Sequence, residues 1–178
     1  MNITAPSSSA PEWASCPEEA ASFALLDTLG VPYLQVQHDP ADTMEQCAQI
    51  SELLQARICK NLLLCNRQQT AFYLLALPED KVFHTKDLSQ QIGSSRLSFV
   101  PGEHMHELIG CTPGSASVLG LMYDPEQRVR LLIDRALADA PFFACHPCKN
   151  DASLRIATKD LLELVLPRLN HTPTFVTL

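Results

Sequence analysis

No stretch of this 178-residue chain carries the roughly 20 consecutive apolar residues that a membrane-spanning helix needs. Its longer apolar runs, such as residues 62–65 and 72–77, fall far short of that. Basic charge is also scarce. Thirteen Lys and Arg stand against twenty Asp and Glu, a net charge of −7, the wrong sign for a protein that grips a polyanion along its length. Any contact with nucleic acid must therefore be local. Residues 1–17 contain neither Lys nor Arg and no apolar core, so they spell neither a secretory nor a mitochondrial leader, and a cytoplasmic setting is expected. A Walker-type phosphate loop and a G-x-S-x-G elbow are both missing, which argues against nucleotide hydrolysis and α/β-hydrolase chemistry.

What is present is globular. Hydrophobic residues make up 46% of the chain and charged residues 19%, too apolar for disorder. A chain of this length forms one domain and buries roughly 70% of the surface it exposes when unfolded. Residues 1–14, with Ser7, Ser8 and Ser9 and two prolines, read as a flexible N-terminal arm, leaving 15–178 as the single domain. Ser15 and Glu18 are spaced as a capping box ahead of Phe23, Leu26 and Leu29, with Gly30 as the stop. Residues 33–38 alternate as a strand, and Thr43 with Gln46 caps a second helix. Residues 58–65 and 71–77 predict a β-hairpin, and residues 117–123 with 128–133 a second one. Helices are expected over 85–91, 103–109 and 158–169, and short strands over 97–100, 142–145, 153–157 and 174–178. This order predicts an α+β fold around a mixed, largely antiparallel, curled and barrel-like sheet flanked by helices.

Three places resist assignment to core or surface. Strand alternation puts Lys60 on the face of Ile58, Leu62 and Leu64, where a cation needs an anionic partner unless it snorkels from an edge strand. The loop Gly110-Cys111-Thr112-Pro113-Gly114-Ser115 can bring backbone N–H groups close to a ligand, although ordinary turns share its composition. His146 follows the apolar residues 142–145, so it sits at a strand end, a position used by site residues and by structural histidines alike. Seven cysteines, mostly inside apolar runs, read as reduced thiols. Cys145 and Cys148 form a C-x-x-C, which leaves open a metal or redox role, but no second pair completes a zinc site.

In order and spacing, these places resemble the YbaK/prolyl-tRNA editing family of free-standing trans-editing deacylases. The likeness runs from about Pro17 to Leu178. It is carried by Leu25 to Tyr33, by Lys60-Asn61-Leu62-Leu63-Leu64, by the 110–115 loop, and by His146-Pro147 with Asn150. Asp160-Leu161-Leu162 and His171-Thr172-Pro173 add to it. The bacterial branch that removes alanine from mischarged proline tRNA is the more similar one; the cysteine-removing branch, a deacylase for another small amino acid, and a catalytically silent tRNA- or synthetase-binding relative are the alternatives. Val118-Leu119 and Cys148-Lys149 depart from the pairs many relatives carry there.

The resemblance implies a YbaK-type fold and hydrolysis of the ester between an amino acid and the terminal ribose of tRNA(Pro), with no metal and no other cofactor. Lys60 would hold the phosphate or sugar of the 3′ end. Gly110 and Gly114 would supply N–H donors to the developing oxyanion, and His146 would orient or polarise the aminoacyl group. Asn61, Thr112, Pro113, Ser115 and Asn150 would bind substrate. The implied partners are the acceptor end of tRNA(Pro) and, transiently, prolyl-tRNA synthetase or an elongation factor; Arg128, Arg130, Lys149 and Arg155 would assist weak, salt-sensitive binding.

Overall fold

A computed structural model describes residues 1–41 and 43–178. The chain runs α1 (Pro17–Leu29), β1 (Tyr33–Gln37), α2 (Met44–Leu54), β2 (Cys59–Asn66), β3 (Phe72–Pro78), α3 (Thr85–Ile92), β4 (Leu97–Phe99) and α4 (Gly102–Ile109). A 3-10 turn (Val118–Tyr123) leads into β5 (Val129–Asp134), α5 (Arg135–Ala138), β6 (Phe142–Cys145) and β7 (Ala152–Ala157). The last helical stretch is α6 (Thr158–Asp160), a π-helical turn (Leu161–Val165) and α7 (Leu166–Arg168), followed by β8 (Thr174–Val176). The π turn sits just before Pro167, whose missing N–H and bulky ring disrupt the regular i→i−4 ladder.

Two sheets result. One has the order β4-β2-β3-β5-β8, the other β1-β7-β6. Pairing is antiparallel except for β3–β5 and β5–β8, which are parallel. A single parallel bridge between Ile58 and Ala144 stitches the sheets together at the start of β2, so the whole curls as the sequence pattern implies. The five-stranded sheet is covered on both faces. Leu74 and Ala76 of β3 join the large core with Phe23, Ile109 and Phe143, while Tyr73, Leu75 and Leu77 pack with Leu88 of α3 and Val176 of β8. That double burial explains why β3 reads as a continuous apolar run rather than an alternating one.

Three local expectations change. Residues 117–123 form a 3-10 turn and not a strand: β3 and β8 occupy both edges of β5, so no edge remains for a hairpin partner, and the Ser117 hydroxyl caps the turn at Leu119 N. The cap of α1 is Cys16, accepting from Glu19 N; Glu19, not Glu18, reaches back to the Ser15 amide at 2.5 Å and hydroxyl at 2.9 Å. The N-terminal segment lies along β1: Thr4 N donates to Gln37 O, Asp39 N to Asn2 O, and Ser7 and Gln35 exchange amide bonds of 2.9 and 2.8 Å. Backbone pairing of this kind needs no apolar side-chain period, so the segment looked like a loose arm. The capping box of Thr43 with Gln46 forms as the spacing predicts.

Candidate functional site

A cavity of about 480 Å³ opens where the two sheets meet. Its walls come from the start of β2, from Glu79 just past β3, from Ala41 and Cys47, from Gly102 and Met105 of α4, from Pro113, Gly114 and Ala116, and from His146. Lys60, the 113–114 stretch and His146 are thus brought to one hollow from three distant parts of the chain.

On the β2 wall, the half-buried Lys60 Nζ donates to the Lys81 carbonyl at 2.5 Å. The Lys81 ammonium in turn grips both carboxylate oxygens of Asp134 at 2.8 and 2.7 Å. Asp134 is fully buried and also accepts from the amides of Ala136 and Leu178, so the carbonyl that orients Lys60 is itself firmly held. Glu79 supplies the nearby anion: burial pushes its pKa up, while Lys60 and Arg57 pull it down less strongly. Asn61 donates weakly to Cys59 Sγ at 3.5 Å, and its Oδ1, buried at the cavity wall, has no partner among the described residues. An unpaired amide oxygen is costly and available to a donor on a ligand.

The loop wall divides the sequence candidates. Gly114 lines the cavity at φ +86, in the left-handed region that glycine enters without strain. Pro113 lines it beside Gly114. Gly110 does not: its N–H is committed to His106 O at 2.9 Å as the C-cap of α4, and a Cβ there would lie 2.4 Å from the Tyr123 ring. Its role as an oxyanion donor is therefore withdrawn, and the glycine is explained by the cap and the ring. Thr112 and Ser115 do not line the cavity either. Ser115 Oγ receives Thr112 N at 3.1 Å and donates to Thr112 O at 2.9 Å, which knots the turn that presents Gly114. Asn150 is likewise removed from the lining; its Oδ1 accepts from the amide of cavity-lining Ala41 at 3.3 Å, clamping one rim to the other.

On the third wall, His146 Nδ1 faces Ala152 O at 2.8 Å. A carbonyl only accepts, so Nδ1 carries the proton and Nε2 is left with its lone pair. Burial lowers the His146 pKa and outweighs the upward pull of the Ala152 carbonyl, with weaker contributions from His38 downward and Asp151 upward; the ring is held neutral. Ser117 Oγ donates to the His146 carbonyl at 2.6 Å, tying this wall to the turn after the glycine loop.

Other expectations are redirected. Cys148 is not paired with Cys145, and its Sγ takes a donor from Ser22 at 3.5 Å; all seven cysteines are free. No group of three or more metal-ligating side chains occurs among the described residues. Arg128, Arg130, Lys149 and Arg155 do not line the cavity; Arg128 pairs with Glu107 at 2.9 Å and Arg155 stacks over Phe142 at 4.1 Å. His171, buried, bonds Leu169 O at 2.7 Å and Asp124 at 3.2 Å, closing the C-terminal turn far in sequence from the cavity walls. Sequence reasoning passed over Glu79, Ser117, His38, Ser153 and the rim residue Phe99, which is 60% exposed. Only His38, at the end of an alternating strand, carried any signal.

Comparison with known proteins places this geometry in context. Residues 38–164 match the aminoacyl-tRNA editing domain. The chain is 30% identical to the prolyl-tRNA editing protein ProX of Acetoanaerobium sticklandii, over 82% of this chain and 88% of that protein. It is 26% identical to prolyl-tRNA synthetase associated domain-containing protein 1 of Danio rerio, over 85% of this chain and 82% of that one. Among solved structures, a protein described as a candidate trans-editing enzyme for prolyl tRNA synthetase superposes with a TM-score of 0.67 at 17% identity, covering 93% of this chain and 99% of that chain, a likeness of fold. No helix among the described residues is long and apolar enough to cross a membrane.

Proposed function

Because the chain belongs to the aminoacyl-tRNA editing domain family, we propose that it is a trans-editing deacylase that hydrolyses the ester of mischarged tRNA(Pro), with alanine as the preferred amino acid. The observation that carries this reading is the convergence of an oriented ammonium, a glycine-bearing loop and a neutral imidazole on one cavity.

Each group has a task that its surroundings suit. Lys60, aimed by the Lys81 carbonyl, meets a phosphate or ribose oxygen of the 3′ end and contributes a charge-assisted bond. Phe99, exposed at the rim, offers a ring face to the terminal base. The Gly114 N–H, which has no acceptor among the described residues, is free to receive the oxyanion that develops as water attacks the ester carbonyl. His146 Nε2, with its lone pair and lowered basicity, takes the proton of that water or of the vicinal ribose hydroxyl. Asn61 Oδ1 and Glu79 provide acceptors for the α-ammonium of the aminoacyl group.

Selectivity is a matter of size. A close-fitting cavity admits alanine and rejects the proline ring, while each missing methylene changes binding by only about 1 to 3 kcal/mol, so glycine and serine are attacked too. The name of the Danio rerio relative favours prolyl-tRNA synthetase as a transient partner. The deciding experiment incubates purified protein with Ala-, Cys- and Ser-tRNA(Pro) and scores residual ester. Loss of ester fastest for alanine supports the proposal. Release no faster than the spontaneous rate for every substrate overturns it, and saturable tRNA binding without turnover would make the protein a silent binder.

A further inference from the structure

Behind His146 lies a second imidazole. Ser153, fully buried, places its Oγ 3.2 Å from His146 Nδ1 and 2.9 Å from His38 Nε2. The two rings lie 6.1 Å apart, centroid to centroid. His38 Nδ1 faces the Asp39 carbonyl at 2.9 Å, which can only accept, so that nitrogen also bears a proton. Neutral His38 must then accept at Nε2, and the Ser153 hydroxyl is the donor. This leaves the Ser153 oxygen to accept from the His146 Nδ1–H that it shares with Ala152 O. One directed chain results: His146 Nδ1–H to Ser153 O–H to His38 Nε2.

We propose that His146, Ser153 and His38 form a two-imidazole unit that takes up a single proton, with His146 as its cavity face, Ser153 as the relay and His38 as the place where the charge is stored. This rests on the deacylase reading for its use, since hydrolysing an ester at neutral pH yields carboxylate, alcohol and one proton. The steps balance. His146 Nε2 accepts the proton from the attacking water, the Nδ1 proton passes to Ser153 Oγ, and the Ser153 hydroxyl proton passes to His38 Nε2. His146 ends neutral with its proton on Nε2 and its Nδ1 accepting from the Ser153 hydroxyl instead of donating to Ala152 O, and His38 ends cationic. After the product leaves, the reverse transfer returns the proton to water in the cavity.

Electrostatics favours storage on His38. Burial holds the His38 pKa below the ordinary imidazole value against upward pulls from the Asp39 carbonyl, Asp151 and the Asp39 carboxylate; Asp151 raises His146 as well, whereas the Asp39 contributions fall on His38 alone. The 340 Å³ groove lined by His38, Asp39 and Asp151 gives the ring a polar outer face, although the Met1 amino group beside Asp39 offsets part of that carboxylate's pull. His146 instead shares its cavity with the Lys60 ammonium and Glu79, and with the α-ammonium of the bound aminoacyl group. Moving the charge one ring away relieves repulsion where substrate binds. His38 and Ser153 act through His146 and are positioning residues.

The test is a histidine-labelled nitrogen NMR titration of the full chain between about pH 5 and 8, alongside deacylation kinetics. In the wild type both rings shift in one common step, because the proton belongs to the pair. Ser153→Ala splits that step in two. His38→Gln keeps an acceptor for the Ser153 hydroxyl but cannot hold a proton; its kcat falls about tenfold with KM unchanged. Rings that titrate independently in the wild type, or a His38→Gln kcat equal to wild type, overturn the proposal. If the wild type deacylates nothing, the function reading fails and the NMR arm still decides whether the proton is shared. If Ser153→Ala melts well below wild type, the wild-type titration and His38→Gln decide alone.

Discussion

The two sheets bring opposite chemistry to the cavity. The five-stranded sheet contributes charge: Lys60 on β2 and Glu79 after β3, steadied by the Lys81–Asp134 pair. The three-stranded sheet contributes a neutral, hydrogen-bonded imidazole at the end of β6, backed by Ser153 and His38. In the proposed reaction the half-buried Lys60 would hold the substrate's 3′ end, whereas the imidazole lone pair, kept neutral by burial, would take a proton. On that reading, one hollow would separate binding from proton handling by building each on its own sheet.

Removing the imidazole should have the largest effect. His146→Ala is expected to lower kcat about 100-fold in deacylation of mischarged tRNA(Pro), leaving KM nearly unchanged. Lys60→Ala should act on the other side of the divide, raising KM about tenfold more than it lowers kcat, with a melting temperature near wild type. A large loss of stability would instead make the Lys60–Lys81 contact structural. The wild-type pH profile sharpens the contrast: His146 has a lowered pKa in the folded state, so the unfolded chain binds its proton first. Activity and stability are both present above the ordinary imidazole range and are lost as pH falls through the folded value. Rate and melting temperature measured across that range should decline together.

Smaller effects probe the supports. Asp134→Ala strips partners from the Lys81 ammonium and two amides and should cost about 2 to 4 kcal/mol in denaturant unfolding, loosening Lys60 at the same time. The two loop glycines should then part company. Gly110→Ala meets the Tyr123 ring as well as a strained φ and should destabilise by more than the roughly 1 to 2 kcal/mol of left-handed strain. Gly114→Ala, with open space around it, should cost only that strain, and its main consequence should be a lower kcat.

How much of this the sequence disclosed depended on whether a feature is local. The β2–β3 hairpin was legible because two apolar runs flank a polar turn, and the caps at Thr43 and Gly30 were legible because they are short-range. Residues 117–123 were misread since an apolar run of that length suits a buried strand as well as a 3-10 turn; only the occupancy of both β5 edges decides. At the site, Lys60, Asn61, Pro113, Gly114 and His146 were found and do share the cavity. Gly110, Thr112, Ser115 and Asn150 lie outside the lining; sequence cannot tell a residue that lines a hollow from one that braces its lining. Ser153 and His38 are 115 positions apart, and nothing in either neighbourhood announces the other.

The segment of residues 2–7 laid along β1 bears on how the protein is handled. It satisfies amides of Gln35, Gln37 and Asp39 that would otherwise stand open on an outer strand. Cutting it away, or displacing it with a bulky fusion tag, would uncover a template onto which another copy could zip. Preparations shortened at this end should therefore self-associate, and a tag is better carried at the opposite terminus.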